Sequence, residues 1–226
     1  MKRLIAIPFI FLLVTGCATE HFNQPQKVSI REVQPEQLLE RFEANLPETV
    51  SSLNSVVFDY AGITFLGLGF VEIDRSKGTF RVICLNPMGV KLFDLSGDQN
   101  STTTNFAIEP MAKYGEIGAA VAADIRRIYF DLLPPPDTEP RKGEYRVIYG
   151  SSTPNGFQEQ IFAGVEGDLV EKRFYYDQFI SWQVTYHDYL SIGGKRYPQG
   201  IVLTNYRDGY QLVIREKEHE FEKDKE

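Results

Sequence analysis

Segments of alternating hydrophobic and polar residues, separated by short turn clusters, dominate the chain after residue 54. The first segments are rich in Val, Ile, Leu and Phe, and each ends at Gly, Pro, Asn or Asp. This pattern is typical of β-strands joined by tight turns. The predicted strands of this first block are Ser55–Tyr60, Ile63–Asp74, Thr79–Leu85 and Lys91–Ser96.

Two segments carry a helical pattern instead. Residues 35–44 begin with a proline and place Leu38, Leu39 and Phe42 on one face. The second and stronger segment covers residues 116–132 and is followed by Pro134–Pro136, which a helix cannot include. Its apolar positions form one continuous stripe. They are Ile117, Val121, Ile125, Ile128 and Leu132.

A second block of strands follows this helix. Its predicted members are Glu144–Gly150, Phe157–Ala163, Leu169–Tyr175, Ile180–Tyr189, Gln199–Asn205 and Tyr210–Glu216. Strands in sequential order around one interrupting helix predict a mainly β fold with some α structure. We expect a curved antiparallel sheet or unclosed β-barrel, with the helix acting as a lid or plug at its mouth.

The N-terminus has the features of a secretory signal. Lys2 and Arg3 precede about eleven mostly apolar residues, a run too short to span a membrane. The run ends in Val14-Thr15-Gly16-Cys17, which resembles the lipobox of bacterial lipoproteins. That resemblance implies cleavage before Cys17 and acylation of this cysteine. Two or three acyl chains hold a protein on a membrane essentially permanently.

These features divide the chain into four parts. Residues 1–16 are the predicted lipoprotein signal peptide, 17–34 a lipidated tether, 35–216 one domain, and 217–226 a charged tail. No aspartate follows Cys17, so nothing resembles an inner-membrane retention signal. In a bacterium with two membranes, we expect the protein to be lipid-anchored in the outer membrane and to face the periplasm.

Composition and charge exclude several classes of function. The chain has 24 Lys and Arg against 31 Asp and Glu, a net charge of −7, which disfavours nucleic-acid binding. Two cysteines cannot build a disulfide framework. If Cys17 is acylated, Cys84 is the only free thiol, and its apolar neighbours indicate a small buried hydrophobe.

Residues for catalysis or metal binding are scarce. His21, His187 and His219 are not at metal-ligand spacing, and His187 is interpreted as a solvent-facing or core-edge side chain. No Gly-x-Ser-x-Gly motif occurs, and Gly67-Leu68-Gly69 lacks the third glycine of a dinucleotide loop. The sequence therefore predicts no enzyme, no cofactor and no metal site.

Two stretches resemble the LolA/LolB-like superfamily of outer-membrane lipoproteins. Residues 81–95 contain Asn86-Pro87-Met88-Gly89, which is similar to the Asn-Pro-Leu-Gly loop of LolB between two strands. Residues 181–189 contain Trp182-Gln183-Val184-Thr185-Tyr186, which is similar to the family's Trp-x-Val-x-Tyr strand. The resemblance implies an unclosed β-barrel that holds acyl chains of a lipid or lipoprotein, with a periplasmic carrier protein as a possible partner.

The resemblance also implies a transfer loop at Pro87, Met88 and Gly89. In LolB the loop's leucine protrudes toward the membrane, and Met88 occupies that position here. The turn residues Pro87 and Gly89 would display Met88, whose unbranched side chain suits variable apolar surfaces. The alternative is a methionine that folds back on the barrel.

Apolar alternation selects candidate residues for the ligand cavity. They are Phe65, Leu68, Phe70, Ile83, Leu85, Leu92, Ile125, Ile128 and Trp182. Each could equally be ordinary core. The leading hypothesis is a LolB-like lipoprotein that binds acyl chains and helps to insert or transfer lipoproteins. The alternatives are a non-catalytic envelope docking or assembly lipoprotein with a filled barrel and, least favoured, a hydrolase. A cavity of about 300 Å³ or more would distinguish the first hypothesis from the second.

Overall fold

A computed structural model describes residues 22–23, 27–109 and 117–220. The signal peptide, Cys17, His21 and residues 221–226 of the charged tail lie outside this described part. In chain order the elements are α1 (Pro35–Asn45), β1 (Thr49–Tyr60), β2 (Ile63–Asp74), β3 (Thr79–Leu85), β4 (Lys91–Gly97), β5 (Thr102–Ala107), α2 (Ile117–Tyr129), β6 (Pro140–Lys142), β7 (Arg146–Thr153), β8 (Gly156–Ala163), β9 (Asp168–Tyr176), β10 (Phe179–Ile192), β11 (Lys195–Asn205) and β12 (Tyr210–Glu220).

The strands form one antiparallel sheet of 12 members within the described residues. Their order is β5-β4-β3-β2-β1-β12-β11-β10-β9-β8-β7-β6, so nearly every strand pairs with its neighbours in sequence. The pairing of β1 with β12 joins the two predicted blocks. The sheet curves but does not close, because its edge strands β5 and β6 do not pair with each other. Helix α2 lies between these two strands in the sequence. The prediction of an unclosed β-barrel with a helix is confirmed.

Side-chain alternation separates an inner and an outer face of the curved sheet. In β2 the buried positions are Gly67, Gly69, Val71 and Ile73, which share the inner face. Inner-face residues pack with both helices in one core, which includes Phe42 of α1 and Ile128 of α2. The two helices, rather than a second sheet, therefore complete the interior.

Helix α1 closes one end of the barrel. Leu38 and Phe42 are buried, and the ring of Phe42 meets that of Phe162 edge-on at 5.2 Å. The Lys195 ammonium donates a hydrogen bond of 2.8 Å to the carbonyl of Ala44, which fixes the end of the helix on the β10–β11 turn. We call this the α1 end of the barrel. The hairpins between β1 and β2, β3 and β4, β7 and β8, β9 and β10, and β11 and β12 lie at the opposite end.

Parts of the predicted tether contact the domain. Ile30 is fully buried, and its N–H donates to the carbonyl of Glu144 at 2.9 Å. Phe22 packs on the outer face of the sheet, stacked on His187 with 5.1 Å between ring centroids. The guanidinium of Arg215 lies 4.4 Å from the centre of the Phe22 ring, and Gly200 leaves room for it. Thus the isolated apolar residues Phe22 and Ile30 attach the otherwise polar tether segment to the domain.

No helix in the described part of the chain is both long enough and apolar enough to cross a membrane.

Candidate functional site

Helix α2 covers the inner face of the sheet, and its sequence explains why. Of the predicted apolar stripe, Ile125, Ile128 and Leu132 are buried, whereas Ile117 and Val121 are half-buried. Ala122 and Tyr129, which were not part of that stripe, are also buried in the core. The opposite side carries small residues, and Ala119 and Ala120 are exposed. The helix therefore acts as the cover of the barrel interior, as the amphipathic pattern predicts.

The C-terminal end of α2 is held by a buried lysine. Lys172 of β9 is 1% exposed, and its ammonium donates to the carbonyls of Arg127 at 2.9 Å and Phe130 at 2.7 Å. The last carbonyls of a helix have no partner within the helix and carry partial negative charge. Lys172 satisfies two of them inside the barrel. Burial lowers the pKa of this lysine to about 7.

Three further side chains hold the same helix end. The Tyr186 hydroxyl donates to the carbonyl of Ile128 at 2.8 Å, and Gln160 Nε2 donates to that of Asp131 at 2.8 Å. Arg75 Nε donates to the carbonyl of Tyr129 at 3.2 Å. Another nitrogen of Arg75 donates to the carbonyl of Pro47, just after α1. We call Arg75, Gln160, Lys172 and Tyr186 the C-terminal anchor of α2.

A buried carboxylate adds a second attachment to the same half of α2. Asp124 accepts hydrogen bonds of 2.8 Å from the Tyr210 hydroxyl and 2.6 Å from Arg127. Burial raises the pKa of Asp124, and burial together with Asp124 raises that of Tyr210 to about 12. The Arg127 guanidinium also lies 5.8 Å from the Trp182 ring centre. Trp182 in turn stacks on Phe174.

Arg126 ties α2 to the turn between β4 and β5. It donates to the carbonyls of Asp98 at 2.8 Å and Ser101 at 2.7 Å. In contrast, residues 117–123 carry no polar side chain. Polar contacts from side chains of α2 therefore begin only at Asp124. The first half of the helix is held by apolar packing, and the second half by hydrogen bonds and ion pairs.

The space between the two helices and the inner face is small in the part of the barrel that the structure describes. One cavity of about 50 Å³ lies between α1, α2 and the inner face. Ile128, Tyr129 and Tyr186 line it together with the charged side chains of Arg75 and Glu216. A water molecule occupies about 30 Å³ of liquid, whereas ligand pockets measure about 300–1,000 Å³. This cavity, bounded by described residues, is too small to hold an acyl chain.

The structure brings together only some of the predicted cavity residues. Ile128 lines the small cavity, and Ile125 and Trp182 belong to the core beneath α2. Phe65 shares the inner face of β2 with Val71 by alternation. Leu92 is buried, but it alternates with Phe93 and Leu95 of the core and therefore faces away from the interior.

The other four predicted residues lie on the outer face. Leu68 and Phe70 alternate with the buried glycines of β2, and Leu68 pairs with Leu85 and Phe70 with Ile83 across β3. All four are half-buried, and none lines the interior cavity. Both faces of β2 and β3 are apolar, so alternation alone could not assign the inner one.

The predicted transfer loop is the turn between β3 and β4, at the end opposite α1. The Asn86 side-chain oxygen accepts the N–H groups of Met88 at 3.0 Å and Val90 at 2.9 Å. Gly89 has a φ of +80°, which glycine adopts without strain. This tight turn leaves Met88 84% exposed. The methionine extends into solvent and does not fold back on the barrel.

The remaining reactive groups are structural. Cys84 is a free and buried thiol, as predicted, and burial raises its pKa to about 11. His187 lies at the edge of the packed region against Phe22, and burial lowers its pKa. Across the described ranges, no group of three or more His, Cys, Asp and Glu is placed to hold a metal ion.

The C-terminal anchor was not predicted from the sequence. Lys172 stands in Glu171-Lys172-Arg173, which is typical of a solvated surface. The available signal was that Lys172 is two residues from the apolar Phe174 along β9. Leu169 is also buried although it lies three residues before Lys172, because the register with β8 shifts at Ile161/Phe162. Only the paired register of β8, β9 and β10 places Lys172 beside Gln160 and Val184 on the inner face.

Comparison with solved structures places this architecture in a known fold. A LolA superfamily protein from Nitrosomonas europaea matches with a TM-score of 0.52 at 11% identity, covering 84% of this chain and 94% of that one. A domain assigned to outer-membrane lipoprotein sorting from Vibrio parahaemolyticus matches with a TM-score of 0.50 at 10% identity over 84% and 93%. A DUF1329 family protein from Desulfovibrio piger gives 0.50 at 9% identity over 84% and 92%. The chain thus has a LolA-like fold.

The sequence family is established separately. Residues 67–218 match the model of the family described as "Protein of unknown function (DUF3261)", and the chain belongs to this family. The matched region runs from β2 to β12 and includes α2 with its C-terminal anchor. A comparison with curated protein sequences finds no match.

The C-terminal anchor predicts a large and pH-dependent effect of Lys172→Met. The substitution leaves two buried carbonyls without donors and should lower the free energy of unfolding by about 2–4 kcal/mol. Tyr206→Phe removes an exposed hydroxyl that bonds Gln183 at 3.2 Å, and this control should cost under about 0.5 kcal/mol. Denaturant unfolding of the three proteins measures both effects.

The pH dependence follows from the lowered pKa of Lys172. The folded chain releases this proton near pH 7, whereas the unfolded chain retains it up to the ordinary pKa of 10.5. The unfolded state binds more protons between these values, so Lys172 favours folding increasingly as the pH rises. The difference in unfolding free energy between wild type and Lys172→Met should grow from pH 7 to pH 10. A constant difference would contradict a buried lysine with a lowered pKa.

Proposed function

We propose that this protein is an envelope lipoprotein that binds acyl chains on its inner face, beneath α2. This proposal rests on the observation that helix α2, the cover of the barrel, is attached unevenly along its length. Hydrogen bonds and ion pairs of its side chains hold α2 from Asp124 onward, whereas residues 117–123 have only apolar side chains. A helix held at one end can lift at the other without breaking its anchor.

Lifting the first half of α2 would uncover an apolar surface. Gly118 faces Leu95 and Thr104, and Leu95 pairs with Val82 on the inner face of β3 and β4. Phe80 and Val71 continue this surface in the same core. Such a surface has the shape and chemistry that an acyl chain requires. Because the closed cavity measures only about 50 Å³, opening must precede or accompany binding.

More specifically, we propose that the protein has a LolB-like role at the outer membrane. Acylation of Cys17 would anchor the protein facing the periplasm, where a carrier protein would deliver a lipoprotein acyl chain. The exposed Met88 at the β3–β4 turn would then contact the membrane during transfer. The lipobox, the exposed methionine and the LolA-like fold support this role. It requires no catalysis and no cofactor.

A second candidate function is a docking or assembly lipoprotein with a permanently filled barrel. The observation that favours it is the packed interior, which leaves only about 50 Å³. In that case α2 would be a structural plug, and partners would bind outside the barrel. The two functions differ in whether α2 must move.

Locking α2 to the sheet distinguishes the two functions. A Cβ atom at Gly118 would lie 3.1 Å from Thr104 Oγ1, within the reach of a disulfide. We expect the oxidised Gly118→Cys/Thr104→Cys protein to lose at least about tenfold in photocrosslinking of a diazirine-bearing fatty acid, since a closed cover excludes a pocket of ligand size. Reduction should restore the labelling, with modified peptides in β2, β3 and β4.

The single variant Gly118→Cys, treated with the same oxidant and reductant, is the matched control. It should label like wild type in both states. If the locked protein labels the same inner-face peptides as its reduced form, α2 is not the cover. If neither state labels the inner face, the docking function is favoured.

The loop prediction is tested with Met88→Glu. The side chain is exposed, so the substitution should change the unfolding free energy by less than about 0.5 kcal/mol. A charge at the tip should oppose membrane contact and slow the transfer of a pyrene-labelled fatty acid from protein-bearing to acceptor vesicles. Val165→Glu, at an exposed apolar position on the α1 end, is the control. Normal transfer by Met88→Glu would remove the loop from the mechanism.

A further inference from the structure

Exposed apolar side chains concentrate at the barrel end opposite α1, beyond the Met88 turn. The hairpins β1–β2, β9–β10 and β11–β12 each present such residues at their tips. Their exposed fractions lie between 51% and 78%. We call this set the apolar rim, and its members are Tyr60, Ile63, Tyr176, Phe179 and Tyr206.

The α1 end differs in its chemistry. Its turns contain Ser76-Lys77-Gly78, Gln99-Asn100 and Gly193-Gly194. The large apolar residues exposed near the turns of this end are Tyr145, Val165 and Leu190, and their exposed fractions are lower, between 40% and 42%. Both ends are built from turns of similar length, so turn geometry does not explain the difference. The end opposite α1 therefore carries more apolar side chains, and they are more strongly exposed.

The make-up of the apolar rim fits a lipid bilayer. Tyrosine rings favour the boundary between headgroups and acyl chains, where the ring is buried and the hydroxyl remains wet. The most exposed members, Ile63 and Phe179, lie at the tips of separate hairpins, as expected for shallow insertion at several points. The nearby charges are Asp59, Asp177 and Asp208 against Arg207. Binding by this end should therefore not depend on anionic lipids.

The length of the N-terminal segment agrees with this orientation. Phe22 lies on the outer face beside Arg215, five strand residues or about 17 Å from Tyr210, which pairs with Tyr60 of the apolar rim. Cys17 precedes Phe22 by five residues, which span at most about 18 Å. After Phe22 the chain continues to α1 at the other end. An acyl anchor at Cys17 can therefore reach the membrane plane that the rim would contact.

We propose that the apolar rim rests in the headgroup region of the bilayer and holds the barrel upright, with α1 directed away from the membrane. The proposal shares the lipid anchor at Cys17 with the proposed function, but it does not require that the barrel bind an acyl chain. It assigns Ile63, Phe179 and the three tyrosines to membrane contact, in addition to the Met88 turn.

Environment-sensitive labels test this orientation in the full chain reconstituted into phosphatidylcholine vesicles. The variants Phe179→Cys and Ile63→Cys are labelled with the fluorophore NBD, and Val165→Cys is the matched control at the α1 end. The unsubstituted chain measures background labelling, because Cys84 is buried. We expect blue-shifted emission at both rim positions, with at least a twofold loss of intensity when the vesicles contain nitroxide-labelled lipid. The Val165→Cys label should emit as in water.

Rim labels that emit and quench like the control would overturn the proposal and favour a protein partner for this end. The variant Phe179→Asp with NBD at Ile63→Cys provides a second measurement. It should reduce the quenching at Ile63→Cys, and unchanged quenching would also contradict insertion of the rim. Fatty-acid photocrosslinking of the same variants reports separately on acyl binding, so the failure of one proposal is distinguishable from that of the other.

Discussion

The packing of the barrel interior depends on hydrogen-bond donors that pair with the carbonyl groups at the C-terminal end of α2. A helix that ends inside a protein has carbonyls without intrahelical partners, and leaving them unpaired in a dry interior is costly. Here Lys172, Tyr186 and Gln160 supply donors from the inner face of the sheet, and Arg75 supplies one from the β2–β3 turn. Because Arg75 also binds the carbonyl of Pro47, the same contacts join α2 to the segment after α1.

This attachment would allow one helix to be both part of the core and the movable cover that we propose. The anchor positions the last turn on the sheet, and Asp124 and Arg126 extend the polar contacts by about one turn. Toward the N-terminus the helix is made of Ile, Gly, Ala and Val, whose contacts are apolar and non-directional. Apolar contacts can be exchanged for contacts with an acyl chain at little net cost. The buried hydrogen bonds of the anchor cannot.

Much of the fold could be predicted from the sequence. The pattern of turns and apolar segments predicts ten of the strands and both helices, because short antiparallel connections leave local signals. The strands β5 and β6 were missed, since Thr102–Ala107 is largely exposed and Pro140–Lys142 has three residues. The docked Phe22 was also missed, because a single aromatic residue in a polar segment has no periodicity.

The candidate site was less predictable than the fold. Alternation predicts that successive residues face opposite sides, but it does not say which side is inner, and Leu68 and Ile83 were therefore assigned to the interior. Lys172 was not considered because an isolated lysine is usually exposed. Its role depends on two long-range arrangements. Strand β9 pairs with β8 and β10, and Lys172 on their inner face meets the end of a helix more than forty residues earlier in the chain. Such long-range placement leaves no local pattern.

The most direct test of whether α2 is a movable cover is amide hydrogen exchange along this helix, measured on the full chain with and without a fatty acid. A cover that lifts about its C-terminal anchor should give faster exchange at residues 121–123 than at residues 127–129. Addition of oleic acid should increase that difference, while the last turn remains as protected as the central strands. Uniform protection of the whole helix, unchanged by the fatty acid, would contradict a movable cover and indicate a permanent plug.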